Sequence, residues 1–223
     1  DSIWPKEFQN INETYTKMRG NGLYQGTRWQ YRWGAPMYLP RMIEMAGKKE
    51  LGEQLQTFFQ KELYNQGNEP DIHVPFLFGR LGMPQITGNI VRSLATESIT
   101  HRYGGNDAYP TPFNGCAFAN QPRGYCPEMD EDDGAMSAWY VFASIGMYPL
   151  VVGEASYELF APLFDKVILH LGSDRQTKVV ISTIGRTSDK QQIRKVTWNG
   201  KKLPDFRISH KQLKEGGELI FHF

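Results

Sequence analysis

Residues 128–133 bring Glu128, Asp130, Glu131, Asp132 and Asp133 together in six positions, and Gly134-Ala135-Met136-Ser137-Ala138-Trp139-Tyr140 follows at once. A carboxylate kept ionised at the mouth of a pocket can accept a proton from water as a general base, or ligate a hard cation. The apolar run predicts a helix. Asp132 or Asp133 is placed to cap it, with a side-chain oxygen on the free N–H groups of the first turn, where the helix dipole favours the charged form. A solvated loop ending in an ordinary cap is the other reading, since runs of like charge usually face solvent. The stretch lacks the alternating ligands and central glycine of a calcium-binding EF-hand loop.

Two further segments carry polar groups suited to a site. In Leu23–Trp33, the rings of Trp29, Tyr31 and their neighbours alternate with amides and arginines. Such a block can stack on a sugar and hydrogen-bond its hydroxyls, or it can be the amphipathic start of a core helix. In Gln66–His73, Asn68 and Glu69 offer hard oxygen atoms to calcium or to hydroxyls. The alternative there is a helix start capped by Asp71, with His73 as a structural residue.

The elements that must hold these segments are legible from periodicity and turn residues. Residues 3–19 are mostly polar with a sparse apolar stripe. Helices are expected over 34–46 and 48–64, separated by Gly47, and over 72–80 and 84–102, with Pro84 near the start of the last. Residues 103–131 form a long loop rich in Gly, Pro and Asn, of a length usually reserved for function. A helix over 133–146 ends at Gly146. After Tyr148-Pro149 the pattern turns to short alternating segments, at 157–160, 166–171, 178–183, 193–198 and 218–223, with Asn199-Gly200 as a hairpin turn. The expected fold class is therefore mixed, mainly α and then β. Residues 1–150 form the helical part and residues 151–223 a small antiparallel β domain.

Composition narrows the classes of function. The net charge is +1 over 223 residues, with no basic patch for nucleic acid and no apolar run long enough for a membrane span. Aromatic residues make up 13%, which fits sugar stacking and an ordinary core equally. Cys116 and Cys126 sit in the Gly/Pro/Asn-rich loop, where a disulfide and two free thiols are both open. No Cys-x-x-Cys or His-rich spacing points to zinc. Asn12-Glu13-Thr14 fits a glycosylation sequon. The chain begins with Asp and shows no signal peptide, which is expected of a processed chain or an internal fragment.

Taken in order, these motifs resemble the glycoside hydrolase family 92 α-mannosidases over nearly the whole chain. The resemblance rests on the aromatic block at Tyr24–Trp33 and on Gly67-Asn68-Glu69-Pro70. It continues through the acidic stretch running into Gly134–Tyr140, then Gly146–Pro149, Pro162–Val167, Asn199-Gly200-Lys201 and Ile208-Ser209-His210. It implies part of an (α/α)6 toroid followed by the β domain, and a calcium-dependent, inverting exo-α-mannosidase. Asp132 aligns with the catalytic base and Asp130 with a supporting carboxylate. Asn68 and Glu69 align with the loop that reaches the Ca2+ ion and the leaving-group subsite. Trp29, Tyr31, Asn68, Glu69 and His73 are the expected substrate contacts. The expected partners are a mannose-containing glycan and the N-terminal sandwich and first part of the toroid, from the same protein or a partner chain. The expected location is periplasmic, extracellular or cell-surface.

The chain departs from the family pattern at two positions. Gln25 stands where the family's general acid, a Glu, is expected, and an amide cannot protonate a leaving oxygen, a service worth ~10²–10⁴-fold. A leaving group that needs no proton, such as the phosphate of a mannosyl phosphodiester, an inactivating change, or an acid elsewhere would each account for it. Asn68 stands where α-1,2-specific members carry His. A non-catalytic glycan-binding module that kept the fold and lost the acid is the rival expectation.

Overall fold

The computed structural model describes residues 26–102, 112–127 and 129–223. The expected stripe over 3–19, the sequon at Asn12, Gln25 and the middle of the long loop lie outside the described residues. The chain folds as two compact units, one of residues 1–74 and 93–137, the other of residues 75–92 and 138–223.

In the first unit, α1 spans Arg28–Tyr31, α2 Leu39–Ala46 and α3 Lys48–Gln60, with 3-10 turns at Pro36–Tyr38 and Glu69–Asp71. Gly47, at φ +84°, separates α2 from α3, a backbone state open to glycine without a Cβ clash. Leu51, Leu55 and Phe58 recur at helical spacing on α3 and are fully buried. Phe58 meets Trp33 and Tyr64 edge-on, each at 6.4 Å between ring centroids. The helix expected over 48–64 stops at Gln60, and Glu62 turns left-handed at φ +54°.

The helix expected over 84–102 ends at Thr96. Ser98–His101 instead forms strand β1, antiparallel to β2 at Phe113–Cys116. The β-branched Ile99 and Thr100 suit a pleated strand better than a helix, and His101 stacks on Phe113 at 4.4 Å. Beyond β2, Phe118 pairs with Tyr125 across a short hairpin. Cys116 is exposed and Cys126 buried, and no disulfide joins them.

The second unit holds α4 (Leu77–Arg80), strands β3–β10 and α7 (His210–Glu215). Helices α5 (Pro84–Thr96) and α6 (Ala135–Ile145) each begin in one unit and end in the other. Strands β5 (Lys166–Leu171), β6 (Thr177–Ile184), β10 (Gly217–His222), β7 (Lys195–Trp198) and β8 (Lys201–Lys202) form one sheet in that order. Strands β3 (Met147–Tyr148), β4 (Ser156–Leu159) and β9 (Arg207–Ser209) form another. All pairs are antiparallel except β6–β10, which is parallel. The sequence predicted an antiparallel domain throughout. Parallel neighbours need a crossover, and here the return to β10 passes through α7. That helix is opened by a capping box between Ser209 and Gln212. The core residues alternate along β6 and β10, with Val179, Ile181, Leu219 and Phe221 buried, and Val196 and Trp198 join them from β7. Among the described residues no helix is long and apolar enough to cross a membrane.

Candidate functional site

Each of the three chemistry-bearing segments is set by its own local geometry, and all lie in the first unit. Thr27 and Gln30 form a reciprocal capping box at α1. The Thr27 N–H donates to Gln30 Oε1 at 2.7 Å, and the Gln30 N–H donates to Thr27 Oγ1 at 3.2 Å. Gly26 allows close approach beside it. A Cβ there would stand 2.6 Å from the Tyr31 ring and 3.3 Å from Pro70 Cβ. The aromatic segment thus lies against the Asn68–Asp71 turn.

That turn is capped by Asn68 rather than Asp71: Asn68 Oδ1 accepts the Glu69 N–H at 3.0 Å. Asp71 has a different role. It is fully buried, and its Oδ2 accepts the Asn65 N–H at 2.9 Å and the Gln30 amide at 3.2 Å. Its Oδ1 has no partner among the described residues. Burial pushes its carboxyl well above the usual range, against the pull of those donors. Asp71 is the residue whose part the sequence reading missed. Its signal was the Pro70-Asp71 pair that follows the polar loop.

The other expected residues fall out as follows. Trp29 is buried, with the Arg32 guanidinium 5.3 Å from its ring centre. Among the described rings of this block, Tyr31 is the exposed one. His73 donates from Nε2 to the Trp33 carbonyl at 2.7 Å, and burial lowers its pKa. These contacts tie His73 to the fold. Asn68 is buried and Glu69 exposed.

The acidic run makes a tight left-handed turn. Asp132, Asp133 and Gly134 take φ values of +47°, +54° and +94° in succession. Helix α6 then starts at Ala135, later than the expected 133. The first-turn cap comes from Glu131, whose carboxylate accepts the Ser137 N–H at 3.2 Å. Asp132 and Asp133 were expected to cap this helix. Their backbone is turning through the left-handed region, and the carboxylate one position earlier reaches the helix instead. Asp130 is exposed, and Asp132 is half-buried.

Electrostatically the segments converge. Burial first, then Asp132 and Asp133, raises the Glu69 carboxyl. Burial first, then Asp130, Asp133 and Glu131, raises that of Asp132. Glu69 therefore lies within electrostatic reach of the acidic turn. Hard oxygen donors of this kind suit calcium. Among the described residues, however, no group of three His, Cys, Asp or Glu is close enough to hold an ion alone. The donor set fits a hard cation in kind, and further ligands would have to complete it.

The chain matches the glycosyl hydrolase family 92 catalytic domain over residues 1–107 and 115–223. It is 24% identical over 198 residues to an uncharacterized secreted glycosidase of Arthroderma benhamiae, covering 88% of this chain and 23% of that protein. Its fold superposes on a gh92 family glycosyl hydrolase, ccman5, with a TM-score of 0.83 at 25% identity, covering 95% of this chain and 30% of that one. A family GH92 inverting mannosidase from Bacteroides thetaiotaomicron matches with a TM-score of 0.70 at 24% identity, over 96% of this chain and 29% of that one. The chain spans about a quarter to a third of the length of these relatives.

Proposed function

This chain belongs to glycosyl hydrolase family 92, and from that premise we propose that it carries the base side of an inverting, calcium-dependent exo-α-mannosidase site. One observation supports this above the rest: Asp132 and Asp133, in one left-handed turn, lie near enough to Glu69 in the same unit to add to the effect of burial in raising its carboxyl. In this reading Asp132 removes a proton from the attacking water. A raised carboxyl is the better base, because proton transfer is most efficient when the pKa approaches the working pH. Asp130 and Asp133 sustain that shift. Tyr31 offers the sugar an exposed ring, and Asn68 and Glu69 offer hydrogen-bonding oxygens. Asn68 and Glu69 would also hold the calcium ion, which when bound supplies Lewis acidity to sugar hydroxyls. The helices belong to an (α/α)6 toroid that the rest of the protein or a partner chain completes. The secreted glycosidase relative supports a secreted location.

Gln25 at the acid position favours substrates whose leaving group departs without a proton, so mannosyl phosphodiesters are preferred over mannobiosides. The second reading, a glycan-binding module without turnover, draws on the same residue. One experiment separates them: kcat/KM for wild type and Asp132→Asn on both substrates, before and after exhaustive chelation. The expected result is turnover of the phosphodiester by wild type, lost by ~10²-fold or more in Asp132→Asn and on chelation, and restored by calcium. Binding of mannose without any turnover supports the second reading. Full activity of Asp132→Asn removes Asp132 as the base.

A further inference from the structure

The three successive left-handed residues 132–134 pose a mechanical question. Aspartate enters this region less readily than glycine, and two aspartates in a row do so here, at φ +47° and +54°. Strain of this kind persists only where surrounding contacts over-determine the backbone. Those contacts meet on Glu131, whose part so far is to cap α6 and to help raise the Asp132 carboxyl.

The Glu131 carbonyl accepts the Gly134 and Met136 N–H groups, both at 3.2 Å, closing the turn from its main chain. Its carboxylate reaches past the turn to α6 and accepts from both the backbone N–H and the hydroxyl of Ser137. On the other side Tyr125 also acts on this carboxylate, its hydroxyl helping to hold Glu131 below the usual range. Tyr125 is itself fixed by the bridge to Phe118 and by the Cys126 N–H on the Ala117 carbonyl at 2.9 Å. From the same hairpin, Arg123 donates to the Pro127 carbonyl at 2.5 Å and the Met129 carbonyl at 3.3 Å. The acidic turn is thus held at its downstream end by Ser137 and at its upstream end by the hairpin, with one side chain joining the two. Hydrogen bonding from Ser137 holds the Glu131 carboxyl below the usual range, so it remains a charged acceptor while its neighbour Asp132 is raised.

We propose that Glu131 is the positioning residue of this site, fixing the Asp132 carboxylate by clamping the left-handed turn between Ser137 and Tyr125. The proposal rests on the reading of Asp132 as the base. It gives the hairpin at 118–125 a function as the outer jaw of the clamp, and it accounts for a glutamate inside a run of aspartates. The longer side chain is the one whose carboxylate reaches both jaws.

The test compares Glu131→Ala, Glu131→Gln, the double variant Tyr125→Phe/Ser137→Ala and Asp132→Asn, each measured for kcat, KM and thermal midpoint. A small misplacement of a reacting group costs about 10²-fold. Glu131→Ala is expected to lose about that much in kcat, with KM within about twofold of wild type. Glu131→Gln, whose amide oxygen can still accept from Ser137 and Tyr125, is expected to recover most of the loss. A role confined to stability would lower the midpoint without this split and without this rescue. Should Glu131→Ala fail to fold, the double variant removes both hydroxyl donors, leaves the Ser137 N–H and the acidic run in place, and is expected to show a smaller kcat-specific loss, of about 10-fold. Wild-type kcat in a folded Glu131→Ala or double variant, beside an inactive Asp132→Asn, overturns the clamp alone. Retained activity in Asp132→Asn overturns the reading beneath it.

Discussion

The two units each bury a carboxylate, and they treat it in opposite ways. In the second unit Glu158, on β4, is almost fully buried and meets the Arg80 guanidinium, which also reaches Glu154 at 2.8 Å. Arg207 adds a further contact to Glu154 at 3.2 Å. Burial raises Glu158, and Arg80 opposes it. In the first unit Asp71 is just as deep, yet its hydrogen-bond donors among the described residues are a neutral amide and a backbone N–H. Buried side-chain polar atoms without a described partner fall mostly in the same unit, on Trp29, Trp33, Asn65 and Gln66 among others, whereas Ser144 represents them in the second unit. A carboxylate that serves the fold is neutralised where it stands. Uncompensated charge and unmatched donors survive where something other than stability selects them. The contrast separates a scaffold from a site before any substrate is considered.

The largest effect expected from this contrast lies in the scaffold. Arg80→Ala strands Glu158 in a buried position. Removing one partner of a buried pair typically costs ~3–5 kcal/mol, and the lower end applies because the Arg80 side chain retains 21% exposure. Urea denaturation should show that loss, and adding Glu158→Gln to Arg80→Ala should return much of it. A loss below about 0.5 kcal/mol, the range of ordinary surface substitutions, would mean that Glu158 is not the compensated carboxylate described here.

Asp71 should behave in the reverse sense, with a smaller effect. Its folded-state carboxyl is raised by burial, while an unfolded aspartate titrates near ~3.9. Between those two points the folded chain holds the proton and the unfolded chain has released it, so stability falls as pH rises through the window. Asp71→Asn keeps an oxygen for Asn65 and Gln30 and removes the titration. Its stability relative to wild type should therefore grow as pH rises from about 4, towards the ~1–3 kcal/mol of an unsatisfied buried polar group. Denaturation curves that stay parallel across pH, or a wild type that gains with pH, would contradict the assignment.

How far the sequence could be read follows the same division. In the β region, alternation and turn residues act locally. Strand β5 falls on its expected limits, and Asn199-Gly200 forms the expected hairpin between Trp198 and Lys201. What was missed there was non-local: the parallel β6–β10 pair depends on where the chain returns after α7. Even so, Ser209-His210-Lys211-Gln212 was a visible capping box. In the first unit the residue types were legible, and the resemblance fixed the family, but the geometry was not. Nothing local says that Glu131 caps α6 in place of Asp132, because that depends on a left-handed turn. Nor does anything local bury Asp71 beneath Gln30, a contact across 41 positions. Residues 98–101 were read into a helix because their partner strand lies beyond a long loop.

Left-handed turns allow the finest test, because both units hold turns with open space around the glycine. Gly200 has φ +79° and Gly134 has φ +94°, and a Cβ at either would meet nothing within 4 Å. Sterics therefore drop out, and only the backbone preference distinguishes alanine from glycine, about 1–2 kcal/mol in this region. At Gly200 the turn joins β7 to β8, and Asn199 Oδ1 takes the Glu218 N–H at 2.8 Å. The hairpin can absorb Gly200→Ala by fraying at the short edge strand β8. Gly200→Ala should thus lose about 1 kcal/mol of stability and leave kcat and KM unchanged. At Gly134 the same substitution acts on a turn clamped at both ends. Relaxing φ there moves the chain toward Asp133 and Asp132, since Ser137 is held by Glu131. Gly134→Ala should therefore match Gly200→Ala in stability and differ from it in kcat, by ~10-fold or more if the carboxylate moves by even a fraction of the ångström that costs about 10²-fold. Equal kcat in the two variants, at equal loss of stability, would show that the left-handed turn at 132–134 is scaffold like the other. It would remove the distinction between the two units at the point where it is drawn most sharply.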